Sequence, residues 1–131
     1  MLRRLKRFFR LNNSDTSVSK QRLILIGIDY PSHKLGAALN EQGHKIIAFI
    51  DEEPWNHRTQ MLGARVHYPS EVAALAARYK ADRVVKFKGA TIDLPAGVQE
   101  HLKQLNLSLI EVDANALDIE AQLALVLNPA K

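Results

Sequence analysis

Four short apolar runs most constrain what this chain can fold into. RLILIGI (22–28), KIIAFID (45–51), RVVKF (83–87) and LSLIEV (107–112) are too short for helices and largely apolar. Strands buried on both faces read this way, because helices cover both sides of the sheet that holds them. A shorter run, ARVHY (64–68), makes a fifth strand. Between the strands lie helical patterns over residues 31–42, 70–81, 95–106 and 117–127. In the first, Pro31 suits the opening turn, Leu35 and Leu39 share a face, and Gly43 stops the helix. Ser70 reads as the N-cap of the second. Asn128 and Pro129 end the last. Strands alternating with helices predict an α/β fold with a three-layer, doubly wound parallel sheet of about five strands. The expected order is 3-2-1-4-5, with ligands beyond the carboxyl ends of strands one and four.

The connection after the first strand, GIDYPSHKLG (27–36), raises the functional question. A dinucleotide fold needs small residues in this turn so that backbone can approach a pyrophosphate. It needs free amides at the helix N-terminus, and an acid at the end of the second strand to hold a ribose. Gly27 stands in the first glycine position, and Asp51 follows 24 residues later at the end of the second strand. In a G-x-G-x-x-G alignment Asp29 takes the second position and Ser32 the third. Asp29 brings bulk and negative charge, and a carboxylate there is expected to cap the free amides itself. Two readings stand: an altered but retained ligand site, and a turn that only joins strand to helix. Lys86 and Lys88 end the fourth strand at the same crevice and are candidates to meet an anionic ligand. The candidate cofactor-binding set is therefore Gly27, Asp29, Ser32, Asp51 and Lys86.

The segments RLILIGIDYPSHKLGAALNEQGHKIIAFIDEEP and MLGARVHYPSEVAALAARYKADRVV together resemble a known group. It is the small Rossmann-like, NAD- or CoA-binding-like domain of bacterial polysaccharide-biosynthesis proteins. AFIDEEP is similar to that family's F-x-D-D-x-P strand end, Gly63 and Val66 to its G-x-x-V turn, and PSEVAAL to the helix that follows. The resemblance covers residues 22–113. It implies a nucleoside-diphosphate-sugar epimerase-like setting, with Gly27 and Asp51 facing a nucleotide, NAD(P) or a nucleotide sugar. Asp29 and Ser32 stand where the family has glycines, and its catalytic dehydratase part has no counterpart in these residues.

Composition narrows the remaining classes. Residues 1–20 hold six bases against Asp15, whereas the rest has twelve bases and thirteen acids. The high pI thus belongs to the N-terminal arm, and a near-neutral fold argues against nucleic-acid binding. LRRLKRFFRL (2–11) reads as a basic amphipathic helix and residues 12–20 as a polar linker, followed by the domain, 21–131. The arm reads as a disordered tail, as a segment for an anionic membrane surface, or as a contact for an acidic protein partner. The absence of cysteine removes disulfides and thiolate chemistry and fits a cytoplasmic protein, peripheral to the inner membrane if the arm binds lipid. No apolar run reaches the ~20 residues of a membrane span.

Other motifs carry less. Tyr30 and Lys34 spell Y-x-x-x-K, but on the first turn of the fold rather than late in it, where dehydrogenase chemistry would use them. None of the five histidines pairs at H-x-x-x-H or H-x-H spacing, which argues against a metal site. His57 and Arg58 form a polar cluster in the loop after Asp51, either touching a nucleotide or simply solvated. Trp55 is expected to anchor that loop to the core. Apolar surface left over on the closing helix would make a homodimer face.

The expected function is a non-catalytic nucleotide or nucleotide-sugar binding accessory domain. The alternatives are a small NAD-using epimerase or dehydratase component, and a ligand-free interaction module.

Overall fold

The computed structural model describes residues 20–128. The basic arm and linker expected over residues 1–20 lie outside the described residues, except for Lys20.

The central strand β1, Arg22–Ile26, pairs in parallel with β2, Lys45–Ile50, on one side and β5, Arg83–Phe87, on the other. β4, Ala64–His67, extends the sheet beyond β2, and β6, Leu109–Val112, extends it beyond β5. These five strands run in the expected order. A sixth, β3, Gln60–Met61, pairs antiparallel with β4 and closes that edge. The sequence pattern gives no strand in the loop after Asp51. Leu62 and Gly63, both at positive φ, instead make a two-residue hairpin between Met61 and Ala64.

Helices α1, Tyr30–Glu41, and α4, Ile119–Leu127, cover one face of the sheet. Helices α2, Val72–Tyr79, and α3, Ala96–Gln104, cover the other. The two-residue period of β1 divides its side chains accordingly. Leu23 and Leu25 enter the α1/α4 core, and Ile24 and Ile26 enter the α2/α3 core. All four are fully buried, each contributing about 1.5–3 kcal/mol of transfer free energy. Ile92 and Leu94, in the connection after β5, also fold into the second core.

α1 ends in a Schellman motif. Gly43, at φ +86°, donates to the Asn40 carbonyl at 2.9 Å, and the His44 amide donates to the Leu39 carbonyl at 3.0 Å. His44 is only 5% exposed, and its Nδ1 accepts from the Gln21 amide at 2.9 Å. Burial, then the Lys20 ammonium, hold its pKa below the usual histidine value.

Ser70 does not cap α2. It lies inside a 3-10 turn, Pro69–Glu71, and the helix begins at Val72. Glu71 organises that entry, its Oε1 accepting from the Tyr68 amide at 2.8 Å. Among the described residues no helix is long and apolar enough to cross a membrane.

Candidate functional site

The parallel register carries three sequence candidates to one end of the sheet. Ile26 of β1 lies beside Ile50 of β2 and Lys86 of β5. Gly27, Asp51 and Lys86 therefore meet at the carboxyl ends of three adjacent strands, where an open α/β sheet has its crevice. Gly27 turns the chain here. Its φ is +115°, its amide donates to the Ile50 carbonyl at 2.7 Å, and a Cβ on it would stand 3.2 Å from Ser32 Oγ. Ser32, 2% exposed, thus packs as a small residue against the turn. Gly36, one turn further along α1, lets the helix approach the sheet; a Cβ there would lie 3.0 Å from Leu62 Cδ1 and 3.1 Å from Phe49 Cζ.

Asp29 corrects the sequence expectation. It occupies the N-cap position of α1 with extended backbone, but its side chain accepts no hydrogen bond from the helix. The carboxylate does not cap the amides that it was expected to seal. Pro31, in the first turn, has no N–H to offer it. A side-chain cap draws on the second or third helical amide, so only the third remained as a donor. The start of α1 combines unsealed amides with a nearby negative charge.

The acid that would face a ribose is engaged within the chain. Asp51 Oδ2 accepts from Asn56 Nδ2 at 2.8 Å and from the Glu53 amide at 3.3 Å. These bonds draw the 3-10 turn Pro54–Asn56 over the end of β2. Lys86 Nζ lies 3.3 Å from Asp93 Oδ1, and Lys88 Nζ 3.8 Å from Asp113 Oδ2. Tyr30 is 73% exposed, with Lys34 Nζ 6.0 Å from its ring centre, so the Y-x-x-x-K pair stands on the outer surface of α1. Trp55 is 74% exposed and does not anchor its loop to the core. Asp51 and Asn56 hold the loop instead.

A second polar constellation was missed by local spacing. His57, His67 and Glu71 come from the loop after β2, the end of β4 and the entry to α2. Their ligand-type atoms lie within 4.8 Å of one another. His57 Nε2 is 2.9 Å from Glu71 Oε1, and His67 Nδ1 is 3.4 Å from Glu71 Oε2. The His57 ring stacks on Tyr68 at 3.9 Å and 8°. Burial pushes the Glu71 carboxyl up, but the Tyr68 amide and the two histidines outweigh it and hold the group below the ordinary glutamate value. The only local signal was the four-residue interval from His67 to Glu71.

Beside this cluster a cleft of about 810 Å³ runs along α2. Arg22 and Lys45, at the starts of their strands, line it at one end, and Arg58 and His67 at the other. Arg65 and Arg78 complete its basic character. Arg58 holds a left-handed backbone, φ 70°, uncommon for a residue with a side chain.

No protein-family model matches this chain, and no curated protein does. Solved structures are similar to it. One is UDP-D-quinovosamine 4-dehydrogenase from Vibrio fischeri, with TM-score 0.59 and 22% identity over 77% of this chain and 89% of that one. Another is RSP, a Rex-family repressor, with TM-score 0.56 and 13% identity over 80% of this chain and 59% of that one. RSP in complex with β-NADH gives TM-score 0.55 and 14% identity over 70% of this chain and 45% of that one. The chain thus spans about half the length of the RSP chains. At these identities the likeness shows the fold, a Rossmann-like α/β domain.

Proposed function

We propose that this Rossmann-like domain binds a nucleotide ligand, NAD(P) or a nucleotide sugar, at the crevice beyond β1, β2 and β5. In this reading it serves polysaccharide biosynthesis as a non-catalytic accessory domain. The observation that carries the reading is the start of α1. Gly27 brings the backbone close, and Asp29, though at the N-cap, leaves the helix amides unsealed. Such amides favour an anion through their N–H groups and the helix dipole. Asp51 stands beside them for a ribose. RSP was solved with β-NADH and the dehydrogenase is named for a UDP-sugar, which supports the ligand class.

A second reading, a ligand-free interaction module, is favoured by one observation. Asp51 and Lys86 already have partners within the chain. Ligand binding must displace or share those contacts.

A thermal-shift panel with NAD, NADP, CoA and UDP-sugars separates the two. Ligand at a hundred times its Kd stabilises by about 2.7 kcal/mol, a rise of several degrees for a domain of this size. The expected result is a rise with one ligand class, enlarged in Asp29→Gly and diminished in Asp51→Asn. Flat melts for wild type and Asp29→Gly alike would sink the nucleotide reading in favour of the interaction module. Residues 1–20 are proposed to bring the domain to an anionic membrane surface. Co-sedimentation with anionic liposomes should be lost when they are removed, and equal pelleting with and without them refutes that role.

A further inference from the structure

The His57, His67 and Glu71 cluster stands at the same end of the sheet as the nucleotide crevice, with the Asp51 amide donating to the His67 carbonyl at 3.0 Å, but the proposed function uses none of its side chains. Two histidines and a carboxylate are the donor set of open zinc sites and of some iron sites, in which three protein ligands leave a position for water or substrate. The cluster has the spacing for this. With Zn–N and Zn–O bonds of about 2.0–2.2 Å, neighbouring ligand atoms of a tetrahedral site stand about 3.3 Å apart. His57 Nε2 stands 2.9 Å from Glu71 Oε1 and His67 Nδ1 3.4 Å from Oε2, and all three donors lie within 4.8 Å of one another, so small side-chain shifts bring them to one ion.

The surrounding chain positions these donors before any ion arrives. The Arg58 amide donates to the Val66 carbonyl at 2.7 Å, and the Val66 amide donates to the Thr59 carbonyl at 2.8 Å. These bonds clamp the loop to β4 and set His57 beside His67. The two imidazoles meet edge to face, 6.0 Å between centroids and 83° between planes, so each directs a nitrogen at the same carboxylate without stacking on the other. Tyr68 fixes the face of one ring, and the Tyr68 amide orients Glu71 Oε1. Such supporting bonds are the usual means of aiming a ligand. The left-handed Arg58, next to His57, is a conformation that persists only where its surroundings impose it.

We propose that His57, His67 and Glu71 form a divalent-metal site of the zinc class, with an open position facing the basic cleft along α2. His67 and Glu71 line that cleft directly. Binding requires each imidazole to turn a lone pair rather than an N–H toward the ion, its proton sitting on the other ring nitrogen. Arg58, Arg65 and Arg78 line the same cleft and oppose a dication, which makes binding weaker than at closed structural zinc sites.

The test uses the full chain, stripped with a chelator and free of nucleotide, titrated with Zn²⁺ by calorimetry. One equivalent should bind. In wild type labelled with ¹⁵N, zinc should move the imidazole nitrogens of His57 and His67 and leave those of His33, His44 and His101 in place. His67→Ala and Glu71→Gln should each weaken binding at least a hundredfold, with far-UV circular dichroism confirming that they fold. No heat up to millimolar zinc overturns the proposal and leaves the cluster as a hydrogen-bonded brace. Shifts confined to the other histidines, or undiminished binding in a folded His67→Ala variant, overturn it equally. Because the wild-type readings need no variant, a misfolded mutant does not shelter the idea. Because no nucleotide is present, failure here leaves the crevice reading untouched.

Discussion

Two helices of this domain begin with aspartate at the same backbone setting and end up chemically opposite. Asp118, at φ −73° and ψ 175°, caps α4 by accepting from the Ala121 amide at 2.8 Å. Asp29, at φ −75° and ψ −179°, makes no such bond and leaves α1 open. The helix sequences supply one reason. α4 opens Ile119-Glu120-Ala121, with an amide at every position, whereas α1 opens Tyr30-Pro31-Ser32 and lacks one of the two donors a cap uses. An N-cap residue is therefore a stabilising cap only when its oxygen reaches an amide. When it does not, the helix end stays available to something else.

That contrast can be broken in four ways. The harshest is Gly27→Val, which removes the turn that holds the start of α1 over β1. A β-branched residue cannot comfortably hold φ +115°, and its Cβ would meet Ser32 Oγ. The loss expected from urea unfolding is about 3 kcal/mol. A loss near zero would mean that the open helix end is not rigidly placed. Next, Asp118→Ala should lower stability by about 1 kcal/mol, because it removes a bonded cap.

A pH titration then compares the open start of α1 with its sealed far end. His44 has a lowered pKa when folded, so the unfolded chain binds more protons as the solution turns acid. Its stabilisation is complete above its unfolded value, about 6.5, and is lost as pH falls through the folded value. The melting temperature should drop across that window, and His44→Gln, which cannot titrate, should flatten the drop. A wild-type midpoint unchanged from pH 7 to 5 would refute this assignment. The smallest effect is expected from Asp29→Ala without ligand, within about 0.5 kcal/mol of wild type by urea unfolding. A loss as large as that of Asp118→Ala would show that Asp29 caps in solution.

What the sequence conveyed follows from the range of each interaction. The central strands, the order of the five parallel ones, and the meeting of Gly27 with Asp51 all rest on local periodicity plus a general crossover rule. β3 escaped because two residues, Gln60 and Met61, carry no period, although Leu62-Gly63 was the available turn signal. Ser70 misled because the capping pattern was real but shifted: Glu71 reaches back to Tyr68 instead. The side-chain direction of Asp29 and the exposure of Trp55 depend on atoms that no local pattern encodes. His57, His67 and Glu71 converge only because the loop after β2 folds back along β4, so a search for paired histidines at helical spacing could not find them.

The short antiparallel β3 also governs how the sheet ends. It offers only the two residues Gln60 and Met61 as an outer rim, too little main chain to template another strand. The opposite rim is β6, four residues long, with Leu109 39% exposed at its start. The domain is thus asymmetric in its vulnerability. Among the described residues the β6 rim is the longer exposed edge, so Leu109→Lys is expected to reduce heat-induced aggregation.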